Sequence, residues 1–445
     1  MIYVKDIIRI CHGELISGDE NIECINFTND TRTLNEGDVF VGIKGDTFNG
    51  NTFYKDAIKK GAKVCIIDDK SVLDGDYGKA SIILVDDSIK AIQELAKYKR
   101  SLYDIPVIAI TGSVGKTSVK DMVSAVVSSH FKTLSTKGNM NNHIGVPLTI
   151  LGLKDHEALI VEMGMNHLGE IHVLSNIAKP TIGIITNVGT AHIGNLGSRE
   201  NILKAKMEIT DALNGPLIIN NDNDMLRTVK YDILITIGID NDSDYMAHDI
   251  RDNVFSSTFY IENNYISLPI GSKAFVYNAL FAYAVGKKLN IPEDKIINAL
   301  ENFKLTPHRL ELIEHKDYRI IDDTYNASLD SVNNALETLG KVKGRKVFIF
   351  GDILELDKYA EEIHKQIGES VINNNIDVLI TVGENAYYTY SVVYDNGIES
   401  YHYNNNQEML EEIDKIIDIG DTILVKGSHG MNLTQIVEHL KNFKN

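Results

Sequence analysis

Residues 105–118, IPVIAITGSVGKTS, decide how the rest of the 445-residue sequence reads. Val107, Ile108, Ala109 and Ile110 form an apolar run with the length of a buried strand, too short for a helix. The run leads into Gly112-Ser113-Val114-Gly115-Lys116-Thr117-Ser118, and then into Val119, Met122, Val123, Val126 and Val127 at helical spacing. Strand, glycine-rich turn, Lys-Thr and helix start together predict a phosphate-binding loop. The glycines let backbone N–H groups close around an oxyanion, and the helix N-terminus adds a favourable dipole. Lys116 is placed to reach β- and γ-phosphates, and the Thr117 hydroxyl to ligate Mg²⁺. Ile110 stands where the longer G-x-x-x-x-G-K-[ST] form has its first glycine. The match is therefore the shorter G-x-x-G-K-[ST], expected by chance about once in a hundred chains of this length. The competing reading is an ordinary βα turn; the flanking strand and helix favour a loop that binds ATP or GTP.

Composition narrows the classes. A hydrophobic content of 43% with 24% charged residues belongs to a globular protein, with length for about three domains. Forty-four Lys+Arg against 62 Asp+Glu give a net charge of −18, which argues against nucleic acid or anionic membrane as partner. An anionic substrate must then meet a local cationic pocket. Cys11, Cys24 and Cys65 lie far apart without a C-x-x-C, so neither a disulfide framework nor a zinc site is expected. The first fifteen residues lack the apolar core of a signal peptide, and no apolar run is long enough to span a bilayer. The expectation is a cytoplasmic chain.

The first unit, about 1–103, mixes short strands and helices and carries Asp30-Thr31-Arg32 and Lys44-Gly45. Alone, the former reads as a turn with a surface ion pair. From about 104 to 308 the order is strand, loop, helix, repeated, which predicts a mainly parallel sheet covered by helices. Within it, residues 136–147 form a polar stretch dense in asparagine, including Asn139 and Asn142, for which ligand contact and a structural turn are equally favoured. Strand 158–161 ends at Glu162, and strand 182–185 runs on to His192. Ligands collect at the carboxyl ends of parallel strands, so Glu162 is read as a Mg²⁺ ligand and His192 as a second polar group at that edge. Ser198 is a helix cap, and Lys206 on the following helix reads as solvated. Strands are expected at 254–261 and 265–270, and Asn278 opens a helix. From 306 onward a doubly wound α/β unit is predicted, with polar strand ends at 322–327, 351–356 and 426–430.

The strings GNMNNHIGVPLTIL (138–151), VEMGMNHLGEI (161–171), TNVGTAHIGNLGS (186–198), KAKMEI (204–209), IIDDTYNAS (320–328), GDILEL (351–356) and LVKGS (424–428) follow one another in order. Together they resemble the Mur ligase family over nearly the whole chain. The resemblance implies an α/β protein of three domains. These are an N-terminal UDP-substrate-binding domain (1–103), a central ATP-binding domain with a mainly parallel sheet (104–308) and a C-terminal Rossmann-like domain (309–445). It implies that Asp30, Thr31, Arg32, Lys44 and Gly45 face UDP, with Asn139 and Asn142 also on the substrate. Gly112, Ser113, Val114, Gly115, Lys116, Thr117 and Ser118 would cradle ATP phosphates. Thr117, Glu162 and His192 would hold two Mg²⁺, supported by Lys206 if it is carbamylated, as is common in the family. Asn278 would lie near adenine, and Arg309, Asp323 and Asn326 would close over the nucleotide. The implied catalytic set is Lys116, Glu162, His192, Lys206 and Arg309.

The implied activity is an ATP-dependent ligation. The terminal carboxylate of UDP-MurNAc-tripeptide becomes an acyl phosphate, and the amine of D-Ala-D-Ala attacks it. The expected chain is a monomer taking small molecules. The sequence departs from the family pattern at Val114, at Asn49-Gly50-Asn51, at 271–275, at 327–330 and at His429, which leaves open a paralogue with another dipeptide or acceptor. A non-catalytic nucleotide-binding relative is disfavoured by Lys116, Thr117, Glu162, His192 and Lys206. A GTPase-like switch is disfavoured by the lack of Asn-Lys-x-Asp, and a diaminopimelate-adding ligase by the lack of Asp-Asn-Pro-Arg.

Overall fold

Short Val- and Ile-rich runs, bounded by polar turns, build three large sheets in succession along the chain, and Ile2–Tyr3 pairs with Glu23–Cys24 in a separate two-stranded sheet. The computed structural model describes residues 1–45, 47–253 and 255–442. Asp46, beside Lys44-Gly45, and Val254, at the start of an expected strand, lie outside the described residues.

The first sheet has five strands, ordered Glu14–Ser17, Ser81–Leu84, Val64–Ile67, Val39–Val41 and Phe27–Thr28; all pairs but the first are parallel. In the nine-stranded second sheet the order is Asn264–Leu268, Ser257–Ile261, Tyr245–Asp252, Leu234–Gly238, Leu217–Asn220, Ile182–Ile185, Val107–Thr111, Ala158–Glu162 and Thr133–Ser135. Only its first two pairs are antiparallel. Six strands form the third sheet: Glu311–Glu314, Arg319–Asp323, Thr422–Lys426, Lys346–Gly351, Val378–Val382 and Glu399–Tyr403, parallel after the first pair. Strands of parallel sheets are apolar on both faces because helices cover both.

Strand Val107–Thr111 lies between Ile182–Ile185 and Ala158–Glu162, with Ile110 opposite Glu162 and Thr111 opposite Ile185. That register brings the phosphate loop, Glu162 and the 186–192 loop to one edge. One apolar cluster runs from Ile2, Val39 and Ile83 through Ile92 and Leu95 to Val107, Val161 and Leu226, so the first two sheets share a core. The third sheet keeps its own clusters on its two faces. No described helix is long and apolar enough to cross a membrane, and the three cysteines are unpaired.

Some expected boundaries change. Asn278 does not open its helix. Ser272 caps it, its side chain accepting from the Ala274 N–H, and the helix spans Lys273–Lys288 with Asn278 in the second turn. The Asn-rich stretch ends in helix Gly145–Leu151, whose seven residues are all buried and so show no amphipathic period. Strand Tyr245–Asp252 was not expected: charged residues and an irregularity between His248 and Arg251 break its alternation. The tyrosine-rich helix Ala386–Asp395 and strand Glu399–Tyr403 were likewise not foreseen.

Candidate active site

Gly112 leaves the sheet at φ +155, where a Cβ would stand 1.8 Å from Thr186 Oγ1, so no larger residue fits. Gly115, at φ +80 in left-handed backbone, caps helix Lys116–Ser128. The 186–189 segment braces the loop between them. The Val114 N–H donates to Asn187 Oδ1 (2.8 Å), the Thr186 hydroxyl to the Val114 carbonyl (2.6 Å), and the Gly189 N–H to Ser113 Oγ (3.0 Å). Both backbone groups of Val114 are thus held whatever its side chain. Lys116 folds back, its Nζ donating to the carbonyls of Gly112 (2.8 Å) and Ser113 (3.3 Å). Burial lowers its pKa; Glu162 opposes that shift and Arg309 adds to it.

At the neighbouring strand end, Glu162 is 2% exposed. Its N–H donates to Thr136 Oγ1 and its Oε1 accepts from Asn141 Nδ2 (2.8 Å), while Oε2 is buried without a partner. A buried carboxylate oxygen left open in this way calls for a cation or a donor. His192 lies on left-handed backbone at φ 63. Its buried Nδ1 is 3.4 Å from Glu355 Oε2 without hydrogen-bond alignment. Burial first, then Lys116, Lys206 and His167, push its pKa down to about 4, so the imidazole is neutral at pH 7. Lys206 is 1% exposed. Burial and Lys116 hold its pKa far below the usual lysine range, which weakens its hold on the proton.

A cavity of about 560 Å³ opens over these groups. Residues 113–118, Asn139, Asn141, Asn142, Glu162, His192 and Asn278 line it from the central sheet, and Arg309, Asp323, Asn326 and residues 353–356 from the C-terminal side. The Arg309 guanidinium lies 3.9 Å over the Tyr325 ring, with a buried, unpartnered Nε. Lys426 Nζ donates to Asp323 Oδ2 (2.5 Å) and to the Asn326 carbonyl (3.0 Å). Burial raises the Asp323 pKa, with Lys426 and Arg309 opposing.

Most residues singled out in the sequence therefore meet at one edge. Gly112 and Lys206 stand just behind the cavity wall. Asp30, Thr31, Arg32, Lys44 and Gly45 lie apart from it. Arg32 forks onto Asp30 (2.8–3.1 Å), holding that carboxyl down to about 2. The Thr31 carbonyl accepts from Lys60 Nζ (2.7 Å), the Gly45 N–H donates to the Phe48 carbonyl, and Lys44 faces a second pocket with Asp68, Asp69, Asp86 and Asp87. Sequence reasoning placed Thr136 and Asn141 within the 136–147 stretch and Tyr325 at the 322–327 strand end but singled out none of them, nor Asp330. The asparagine density of 136–147 was the available signal for the first two.

A UDP-N-acetylmuramoyl-tripeptide–D-alanyl-D-alanine ligase of Bacillus subtilis is 34% identical to this chain over 98% of both. The chain belongs to the Mur ligase family. Its residues 26–100, 110–286 and 308–429 match the family descriptions Mur ligase family, catalytic domain; Mur ligase middle domain; and Mur ligase, glutamate ligase domain. The Escherichia coli ligase of the same name is 32% identical over 98% of each chain. Among solved structures, MurF from Acinetobacter baumannii superposes with a TM-score of 0.90 at 27% identity, covering 99% of both chains. MurF from Thermotoga maritima in complex with ADP gives 0.82 at 27% identity, covering 94% of this Mur ligase and 97% of that chain.

Proposed function

We propose that this Mur ligase joins D-alanyl-D-alanine to the terminal carboxylate of UDP-N-acetylmuramoyl-tripeptide, converting ATP to ADP and phosphate. The carrying observation is the full-length likeness to ligases of that name, on a chain whose phosphate loop and C-terminal strand ends wall a single cavity. ATP and a UDP-linked substrate support a cytoplasmic reaction, with 1–103 assigned to the UDP end, 104–308 to the ATP and 309–445 to closure over both.

The carboxylate attacks the γ-phosphorus, ADP leaves, and an acyl phosphate forms. The dipeptide amine then adds to the acyl carbon, and the tetrahedral species expels phosphate as the amine loses a proton. Two anions must meet in the first step, so Lys116 and Arg309 are assigned to neutralise the phosphates, and backbone N–H groups of 112–118 to orient them. Asn278 is assigned to the adenine side. Asp323 and Asn326 shape the lid, and Asn139 and Asn142 meet the UDP-linked substrate with Asp30, Thr31, Arg32, Lys44 and Gly45. The Thr117 hydroxyl and the open Glu162 oxygen are hard donors that suit Mg²⁺, with neutral His192 beside them. Bound Mg²⁺ would supply further charge neutralisation at the phosphates. A neutral Lys206 amine is the form that adds to CO₂. The resulting carbamate, formed with loss of a proton, would put an anion next to Lys116.

Mass spectrometry of the protein with ATP, Mg²⁺, UDP-MurNAc-tripeptide (lysine and diaminopimelate forms) and D-Ala-D-Ala tests the reading. A pentapeptide product dependent on both substrates is expected. Product only with another dipeptide would assign the chain to a specialised paralogue, and no product from any pair would overturn ligase activity.

A further inference from the structure

Arg309 sits between two residues with backbone that L-amino acids avoid: His308 at φ 65 and Leu310 at φ 51. Such conformations persist where surrounding contacts over-determine them, and here those contacts come from two sides. On the C-terminal side, His308 Nδ1–H donates to Asp322 Oδ2 (2.7 Å) and the His308 N–H to Glu311 Oε2 (3.0 Å). The Leu310 N–H donates to Asp323 Oδ1 (3.3 Å), and the Tyr325 N–H to the His308 carbonyl (3.2 Å). Asp322 is wholly buried, and its other oxygen accepts from the N–H and hydroxyl of Thr324 (3.1 and 2.7 Å), so it cannot swing away. On the central side, the Thr306 hydroxyl donates to Asp121 Oδ2, on the phosphate-loop helix. The other Asp121 oxygen pairs with buried Lys120 (2.6 Å). The Leu310 side chain packs against both the central and the C-terminal apolar clusters.

We infer that residues 306–311 form a two-sided clamp that fixes Arg309 in the nucleotide cavity, with Thr306 and His308 as positioning residues. The inference rests on the ligase reading above. Thr306 ties the segment to the helix that begins at Lys116, and His308 ties it to the strand end that presents Asp323 and Tyr325. Between the two anchors the peptide is held from both sides, and the arginine leaves it to lie on Tyr325. The guanidinium then needs no reorganisation when phosphate charge develops, which is the condition for strong electrostatic stabilisation. His308, Glu311 and Asp322 also have the mutual spacing of a cation site. These atoms are already engaged, His308 Nδ1 with Asp322 Oδ2 and Glu311 Oε2 with the His308 backbone N–H, which is what a clamp requires and a metal site does not.

The test is a double-mutant cycle on the full-length protein. His308→Ala should lower kcat at least tenfold, with the KM for D-Ala-D-Ala within twofold of the parent. His308→Asn should recover most of that loss, since asparagine tolerates left-handed backbone and its amide can donate to Asp322. Thr306→Val, which keeps the side-chain size, should lower kcat at least threefold. In an Arg309→Ala background, neither His308→Ala nor Thr306→Val should cost more than a further twofold. Parent-like kcat in both single variants, or the same fold-loss with and without Arg309, would overturn the clamp. ATP binding with Mg²⁺, measured by calorimetry on the same proteins, separates this inference from the ligase reading. If the parent forms no product, the ligase reading fails. The clamp then stands if both single variants weaken ATP binding at least threefold only when Arg309 is present, and falls if they do not.

Discussion

Gly189 and Asp330 meet with no space to spare: a Cβ on the glycine would stand 2.0 Å from Asp330 Oδ2, the same oxygen that accepts from the Thr190 N–H at 3.2 Å. Asp330 lies in the first turn of helix Leu329–Gly340, and Gly189 on the loop that braces Ser113. The third sheet is therefore seated on the segment that shapes the phosphate loop. Gly189→Ala should push the Asp330 carboxylate aside, break its bond to the Thr190 N–H and lower kcat severalfold, with near-parent affinity for ATP. Steady-state kinetics and nucleotide titration check it; unchanged kcat would mean that the seating is dispensable.

Lys206→Ala should abolish turnover, and bicarbonate or a short carboxylate should partly restore it by placing an anion in the vacated space. Intact-mass measurement under CO₂ should show an added 44 Da, as expected for a carbamate on an amine, which is absent in the variant. Parent-like turnover of Lys206→Ala would remove the lysine from the chemistry.

Glu162→Gln keeps the Asn141 partner but removes the open carboxylate oxygen. The expected result is a kcat lower by about 10²–10³-fold, with binding of the UDP-linked substrate largely kept. A variant with full activity would refute the metal-holding assignment.

His192 titrates near 6.5 when unfolded and near 4 in the folded protein. Between those values the unfolded chain binds the extra proton, so folding stability falls as pH drops from 6.5 to 4 and levels off below. The shift corresponds to about 3 kcal/mol over the window. Urea unfolding of His192→Asn at pH 7.5 and pH 4.5 should show a smaller pH dependence than the parent by on the order of 2 kcal/mol. Equal pH dependence would show that the imidazole is not held neutral by its surroundings.

The phosphate loop was legible because its chemistry is local: one strand, one turn and one helix start within residues 107–128 dictate it. The strand ends at Glu162, Asp323 and Lys426 were legible as positions, since parallel sheets deliver their loops to one edge, but not as partners. Contacts such as Thr190–Asp330 join residues 140 apart in sequence, and no periodicity encodes them. Lys206 was misread on composition alone because lysine prefers water. Its helix places it in the buried set with Ile202 and Ala205, and only the resemblance to a family argued otherwise. Asn141 was hidden among similar neighbours: Asn139, Asn141 and Asn142 all line the cavity, and side-chain chemistry alone could not tell which amide meets Glu162.

The apolar cluster shared by the first two sheets alters how the molecule should come apart. Helix Ser88–Ser101 contributes Ile92, Leu95 and Ala96 to the same cluster as Val107, Ile150 and Leu159. A cut between residues 103 and 104 would therefore open a greasy wound on both fragments. Scanning calorimetry should record two cooperative melting events for the three large sheets, one for residues up to about 303 and one for the remainder. Ligand occupancy at the C-terminal strand ends should draw those two events together.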